Sequence, residues 1–255
     1  MSGLRQLLSL IRWDLLREVR RPVTLFNMTL LAVLILFAGR IGVEVFATPY
    51  VTDREVGLER QGIEVVRATH AFGPIFFWIA VLFAGTVGIN QCFAAERKAG
   101  GLGGITTAPI DPSTFYLAKV VGTWVYTMTM QILLLGAYIV LFNDSMSSTW
   151  PIVLAATASF TIAYVAPGVV LAAMTTTLGG AGEVVLRILL FVIMIPLIML
   201  TLDVSAALFE VPGSEHALRS TNFTLGPTQY LGIATCFGVI YLCVGYVLFP
   251  KVLEE

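Results

Sequence analysis

The sequence predicts an all-α membrane protein with six transmembrane helices behind an N-terminal amphipathic helix that lies in the membrane interface. Of its 255 residues, 57% are hydrophobic and 12% charged, against about 25% charged in soluble domains. Uncharged runs of membrane-crossing length recur along the chain. The first 22 residues instead place apolar side chains at helical spacing among arginines.

Crossing ~30 Å of hydrocarbon takes about 20 apolar residues in a helix. Such runs occupy Val23–Gly39, Gly73–Ala95, Val120–Asn143, Pro151–Gly182 and Gln229–Pro250. A sixth, Ile188–Leu202, is short between Arg187 and Asp203 and reaches full length if Arg187 snorkels to the interface. A closed barrel needs alternating polar positions, and these runs are apolar all round. Residues 1–255 are therefore expected to form one transmembrane domain, with 1–22 as the interfacial helix and six spans over 23–250.

Orientation follows lysine and arginine near the span ends. With both termini inside, Arg5, Arg12, Arg17, Arg20, Arg21, Arg97, Lys98, Lys119, Arg187 and Lys251 lie inside. Arg54, Arg60, Arg67 and Arg219 lie outside. This predicts cytoplasmic termini. Arg40, at the outer end of the first span, faces Glu44 one turn later, as an interfacial ion pair or as a gate for substrate.

At the N-terminus, Leu4, Leu7, Leu8, Ile11, Leu15 and Val19 recur at helical spacing. Arg5, Arg12, Asp14 and Glu18 fall mostly elsewhere on the wheel. This pattern suits a helix lying on the bilayer with its arginines toward anionic headgroups. No apolar core of a signal peptide is present, and Pro22 breaks the chain before the first span.

The outer segment Thr48–His70 is expected to form a short ordered cap, with Gly57 and Gly62 weakening any helix. Val211–Ser214 marks a turn in a later outer loop, and Asn222–Thr224 is a coincidental sequon. The inner loop after the second span says more. It begins with Glu96-Arg97-Lys98, continues through Gly100-Gly101-Leu102-Gly103-Gly104-Ile105, and ends at Pro109-Ile110-Asp111-Pro112. It reads either as a flexible connector or as a docking element that presents Leu102 and Ile105 to a cytoplasmic partner. Asp111 or Ser113 is placed to cap a helix starting near Tyr116.

Several functions are disfavoured. No Gly-Lys-Ser/Thr follows the glycines, so the chain has no P-loop, and any ATP must be hydrolysed by another subunit. No acid sits clearly at mid-membrane, which disfavours ion-coupled carriers. Intramembrane catalysis lacks a converging nucleophile, base and acid. Net charge is −1, with no basic patch for nucleic acid. Cys92, Cys236 and Cys243 read as small buried hydrophobes, the latter two about 10 Å apart along a helix. His70 and His216 are solitary.

Within the spans, Pro167-Gly168 and Pro196 are candidate hinges or simple packing kinks. Gly85 and Gly88, with Thr86, allow close helix contact. Phe76, Phe77, Trp78 and Phe83 read mainly as interface and lipid-packing residues, or else as an aromatic wall.

The motif Glu96-x-x-x-Gly100-x-Leu102 followed by Pro109 resembles the charged, glycine-containing loop of ABC-2-type exporter permeases. More closely, Phe93–Glu96, Gly100-x-Leu102, Pro109-Ile110 and Leu117–Lys119 resemble the second-to-third span connection of the haem exporter protein B (CcmB) family. Ala166–Val169, Glu183–Leu186 and Ile195–Leu197 resemble its fourth and fifth spans. Gly101, Gly103 and Gly104 depart from that pattern, where polar or acidic residues are more usual.

The resemblance implies a permease subunit in haem handling or export for c-type cytochrome maturation, paired with a P-loop ABC ATPase. A haem-handling membrane subunit and a haem chaperone are implied as further partners. Glu96, Arg97, Gly100, Leu102, Ile105 and Pro109 become ATPase-docking candidates. No cofactor is expected to bind directly, ATP acts through the partner, and haem is a candidate cargo. The alternatives are an ABC-2 exporter of another apolar cargo and a non-transporting scaffold for haem-handling subunits.

Overall fold

The structure is a computed structural model that describes residues 3–20, 22–52, 58–93, 96, 111–142, 150–175, 180–208 and 227–254. Every element among them is helical: α1 (Gly3–Arg20), α2 (Val23–Thr52), α3 (Leu58–Gln91), α4 (Pro112–Phe142), α5 (Trp150–Met174), α6 (Gly180–Leu208) and α7 (Pro227–Glu254). Six of them, α2 to α7, are long and apolar enough to cross a membrane.

With apolar residues on every side, the choice of buried face falls to packing. On α2, Met28, Ala32, Leu36 and Val43 turn inward, while Phe26, Leu30, Leu34, Phe37, Ile41 and Val45 form an outward stripe. On α7, Tyr230, Ala234, Gly238, Gly245 and Phe249 turn inward at four- to seven-residue steps. α3 and α5 are the most buried spans, and α2, α6 and α7 are peripheral. Lipid offers little hydrophobic drive between helices, so association rests on close packing and interhelical hydrogen bonds.

Both devices are present. A Cβ on Gly85 would lie 2.6 Å from the Tyr164 ring, and one on Gly88 would lie 2.8 Å from Met28 and 2.9 Å from Tyr126. The expected close contact at these glycines is therefore found. Over the same region aromatic side chains donate to backbone carbonyls of neighbouring helices: Tyr126 to Gly88 (2.8 Å), Tyr164 to Leu82 (2.9 Å) and Trp124 to Ala158 (3.3 Å).

The spans differ from expectation where charges are neutralised. The first continues past Gly39 because Arg40 pairs with Glu44 and its Nε donates to Leu141 O at 3.1 Å. Arg40 thus caps the carbonyl end of α4. The third starts at Pro112 rather than Val120, because Lys119 is buried in ion pairs. Asp111 caps it, its Oδ2 accepting from Thr114 N at 2.9 Å, with Pro112 at the first helical position. The long fourth run ends early, at Met174.

The outer cap expectation also changes. α2 reaches Thr52 and α3 starts at Leu58, so all of the described part of Thr48–His70 is helix, Gly62 included. Phe77 and Trp78 are core residues rather than lipid-facing ones, packed edge to face at 5.3 Å. Phe76 packs against Gly39, and only Phe83 of the four is exposed. Cys236 and Cys243 are exposed on the outward side of α7, not buried, and Cys92 is half-buried. The turn at Val211–Ser214, His216 and Asn222–Thr224 lie outside the described residues.

Candidate functional site

Among the described residues, the one buried charged side chain is that of Lys119, which pairs with Glu96. Lys119 sits two turns into α4, with no acid four residues away on either side: Phe115 and Thr123 occupy those positions. An ammonium placed there must find partners from elsewhere in the chain, because an unpaired buried charge costs several kcal/mol. It finds two. Nζ lies 2.8 Å from Glu96 Oε1 and 3.0 Å from Asp14 Oδ2 of α1. Its side chain is 5% exposed, against 18% for Glu96 and 31% for Asp14.

Aromatic rings complete the enclosure. Nζ lies 5.5 Å from the Phe115 centroid and 5.8 Å from the Phe93 centroid, within cation–π range. Phe93 and Phe115 each face Phe249 of α7, at 6.4 and 6.2 Å. Phe249 in turn packs on Tyr116 at 5.4 Å. Ser113 adds a bond to Tyr246 O at 3.4 Å. One cation therefore joins α1, the head of the loop and α4, and the rings around it add α7.

This arrangement revises the reading of α1. Asp14 shares a face with Leu7, Leu10 and Ile11, all partly buried, and α1 packs mainly along α4. Gly122 of α4 faces Asp14 across this contact, and a Cβ there would meet Asp14 Cβ at an ordinary 3.7 Å. Arg5 and Arg12 stay exposed on the opposite side, as the amphipathic pattern predicts. Lys119 is thus a buried charge held in ion pairs with two distant segments.

Of the docking candidates, Glu96 enters this cluster, while Arg97, Gly100, Leu102, Ile105 and Pro109 lie outside the described residues. Among the described residues, Oε2 of Glu96 has no hydrogen-bond partner. The hinge candidates separate. Pro167 and Gly168 are buried in α5, with Ile89 packed against Gly168. Pro196 is exposed on the outward face of α6.

Sequence reasoning did not single out Lys119, Asp14 or Tyr116 as site residues. The available signal was a lysine in an apolar helix with no acid within one turn. Chemically the cluster brings a cation, two carboxylates and aromatic rings into contact, tying α1 and Glu96 to α4.

A family model described as CcmB protein matches residues 65–225, more than half of the chain. No curated protein matches it.

Proposed function

The chain belongs to the CcmB family, and from that membership we propose that it is the permease subunit of an ABC transporter complex that handles or exports haem for c-type cytochrome maturation. The whole chain serves as one ABC-2-like transmembrane domain in the cytoplasmic membrane, with both termini cytoplasmic. A separate P-loop ATPase supplies the energy, and a haem-handling membrane subunit and a haem chaperone complete the system.

Family membership carries this reading, and the ion pair of Glu96 with Lys119 supports its mechanical part. Glu96 heads the loop proposed as the ATPase dock, and Lys119 fixes that residue to α4 and, through Asp14, to α1. A push on the loop is therefore delivered to two helices at a rigid point. Leu102 and Ile105 act as apolar anchors for the ATPase, Glu96 and Arg97 as polar rim contacts, and Gly100 and Pro109 shape the loop. ATP-driven closure of the partner then moves the spans as packed bodies, with Pro167-Gly168 and Pro196 as the points where helices bend.

The test is deletion of the gene in its own host, scored by covalent haem staining of c-type cytochromes. Staining is lost on deletion and restored by the unaltered chain. Normal cytochromes in the deletion strain contradict the haem role and leave an exporter of another apolar cargo. Normal staining in cells whose partner ATPase cannot hydrolyse ATP points to a non-transporting scaffold.

A further inference from the structure

Tyr116 lies one turn before Lys119 on α4 and is fully buried. Its ring packs on Phe249, and its hydroxyl reaches across to α5, donating to Ala166 O at 3.1 Å. Ala166 is the residue immediately before Pro167. Proline has no N–H, so the Pro167 turn lacks the helical bond to Ala163 O, four residues back, and the helix is locally weakened. Gly168 follows, adding backbone freedom. The Tyr116 bond to Ala166 O does not replace that missing bond; it adds a cross-helix tie at the carbonyl next to the proline, within the weakened turn.

Space for this reach is built in. Gly245 of α7 lies directly under the Tyr116 hydroxyl, and any Cβ there would collide with it. The opposite end of the same aromatic group meets the ion-pair cluster: Phe249 also faces Phe93 and Phe115, whose rings flank Lys119.

We propose that Tyr116 is the positioning residue that ties the Pro167-Gly168 turn of α5 to the Glu96–Lys119 pair, so that disturbing Glu96 loosens that turn. The inference deepens the proposed function, since it names the path from the loop to a helix bend. Its physical content belongs to the chain alone: α4 carries both Lys119 and Tyr116, and a shift of one moves the other by the same rigid helix.

Hydrogen–deuterium exchange of the full chain in lipid nanodiscs, without any ATPase, tests this. Four proteins are compared: unaltered, Glu96→Gln, Tyr116→Phe and the double variant. Tyr116→Phe keeps the ring on Phe249 and removes only the hydroxyl. Exchange at the amides of Val169–Ala173 is expected to rise about tenfold in each single variant, as for a local opening made easier. The double variant is expected to match the singles, because both act through one link. Amides of Met28–Leu36 serve as the control and stay unchanged. Factors that multiply in the double variant overturn the proposal, as does either single variant leaving Val169–Ala173 unchanged or moving the control equally. Failure to find a partner ATPase would sink the proposed function and leave this result standing.

Discussion

The ammonium of Lys119 lies 2.8 Å from Glu96 and 3.0 Å from Asp14, the latter 105 positions away in the chain. This contact makes the N-terminal helix and the head of the loop parts of one joint. Its energetics are asymmetric. A complete buried pair adds little net stability, whereas removing one partner strands the others.

Lys119→Met is accordingly expected to destabilise the chain by about 3–5 kcal/mol. It leaves Glu96 and Asp14 facing each other in a poorly hydrated site. The triple variant Asp14→Asn, Glu96→Gln, Lys119→Met is expected to recover most of that loss. Denaturant titration in mixed micelles measures both. A triple variant no more stable than Lys119→Met would show that packing, and not charge, dominates the site.

At the opposite end of α4, Arg40→Met is expected to cost about 1.5–3 kcal/mol, since a charged donor is lost from Leu141 O. Glu44→Gln is expected to cost at most about 1 kcal/mol, because that carboxylate is half exposed. Thermal unfolding of the two variants side by side checks the order. Equal losses would assign the stabilisation to the ion pair rather than to the capped carbonyl.

Glycines separate into two groups by what surrounds them. Gly85→Ala places a methyl against the Tyr164 ring and is expected to cost about 1–3 kcal/mol. Gly136→Ala meets nothing within 4 Å and is expected to be neutral or to gain up to about 1 kcal/mol. A shift in unfolding midpoint for each variant decides the matter, and a costly Gly136→Ala would contradict the packing described here.

Cys236 and Cys243 point outward from the middle of α7. In intact membranes, a charged, water-soluble maleimide is expected to leave both unlabelled, because a charged reagent does not enter the hydrocarbon. After denaturation in detergent both are expected to react. Mass spectrometry of labelled peptides reads the result, and rapid labelling in the membrane would place α7 against an aqueous cavity.

The fold was legible because span count depends on a summed property: no charge interrupts about 20 residues. Boundaries at Arg40 and Lys119 were not, since each charge ends a run in sequence yet is neutralised in space. Arg40 betrayed its partner, Glu44, at helical spacing. Lys119 could not, because Asp14 and Glu96 approach from distant segments and leave no local periodicity. The same reason hid Tyr116, whose bond to Ala166 spans 50 residues. Glu96 was readable as a loop residue from its neighbours Arg97 and Lys98, and its burial against α4 was not. Phe77 and Trp78 were misread because core and lipid-facing aromatics share a composition and differ only in what packs beside them.

The most direct measurement on the proposed role is affinity purification of the chain from native membranes in mild detergent, with and without Leu102→Asp, followed by mass spectrometry. A permease driven through the loop is expected to bring down a P-loop ATPase in stoichiometric amount, and Leu102→Asp is expected to lose it while remaining inserted in the membrane. Unchanged recovery of the ATPase by Leu102→Asp would contradict docking through the loop, and no ATPase with the unaltered chain would contradict the permease role itself.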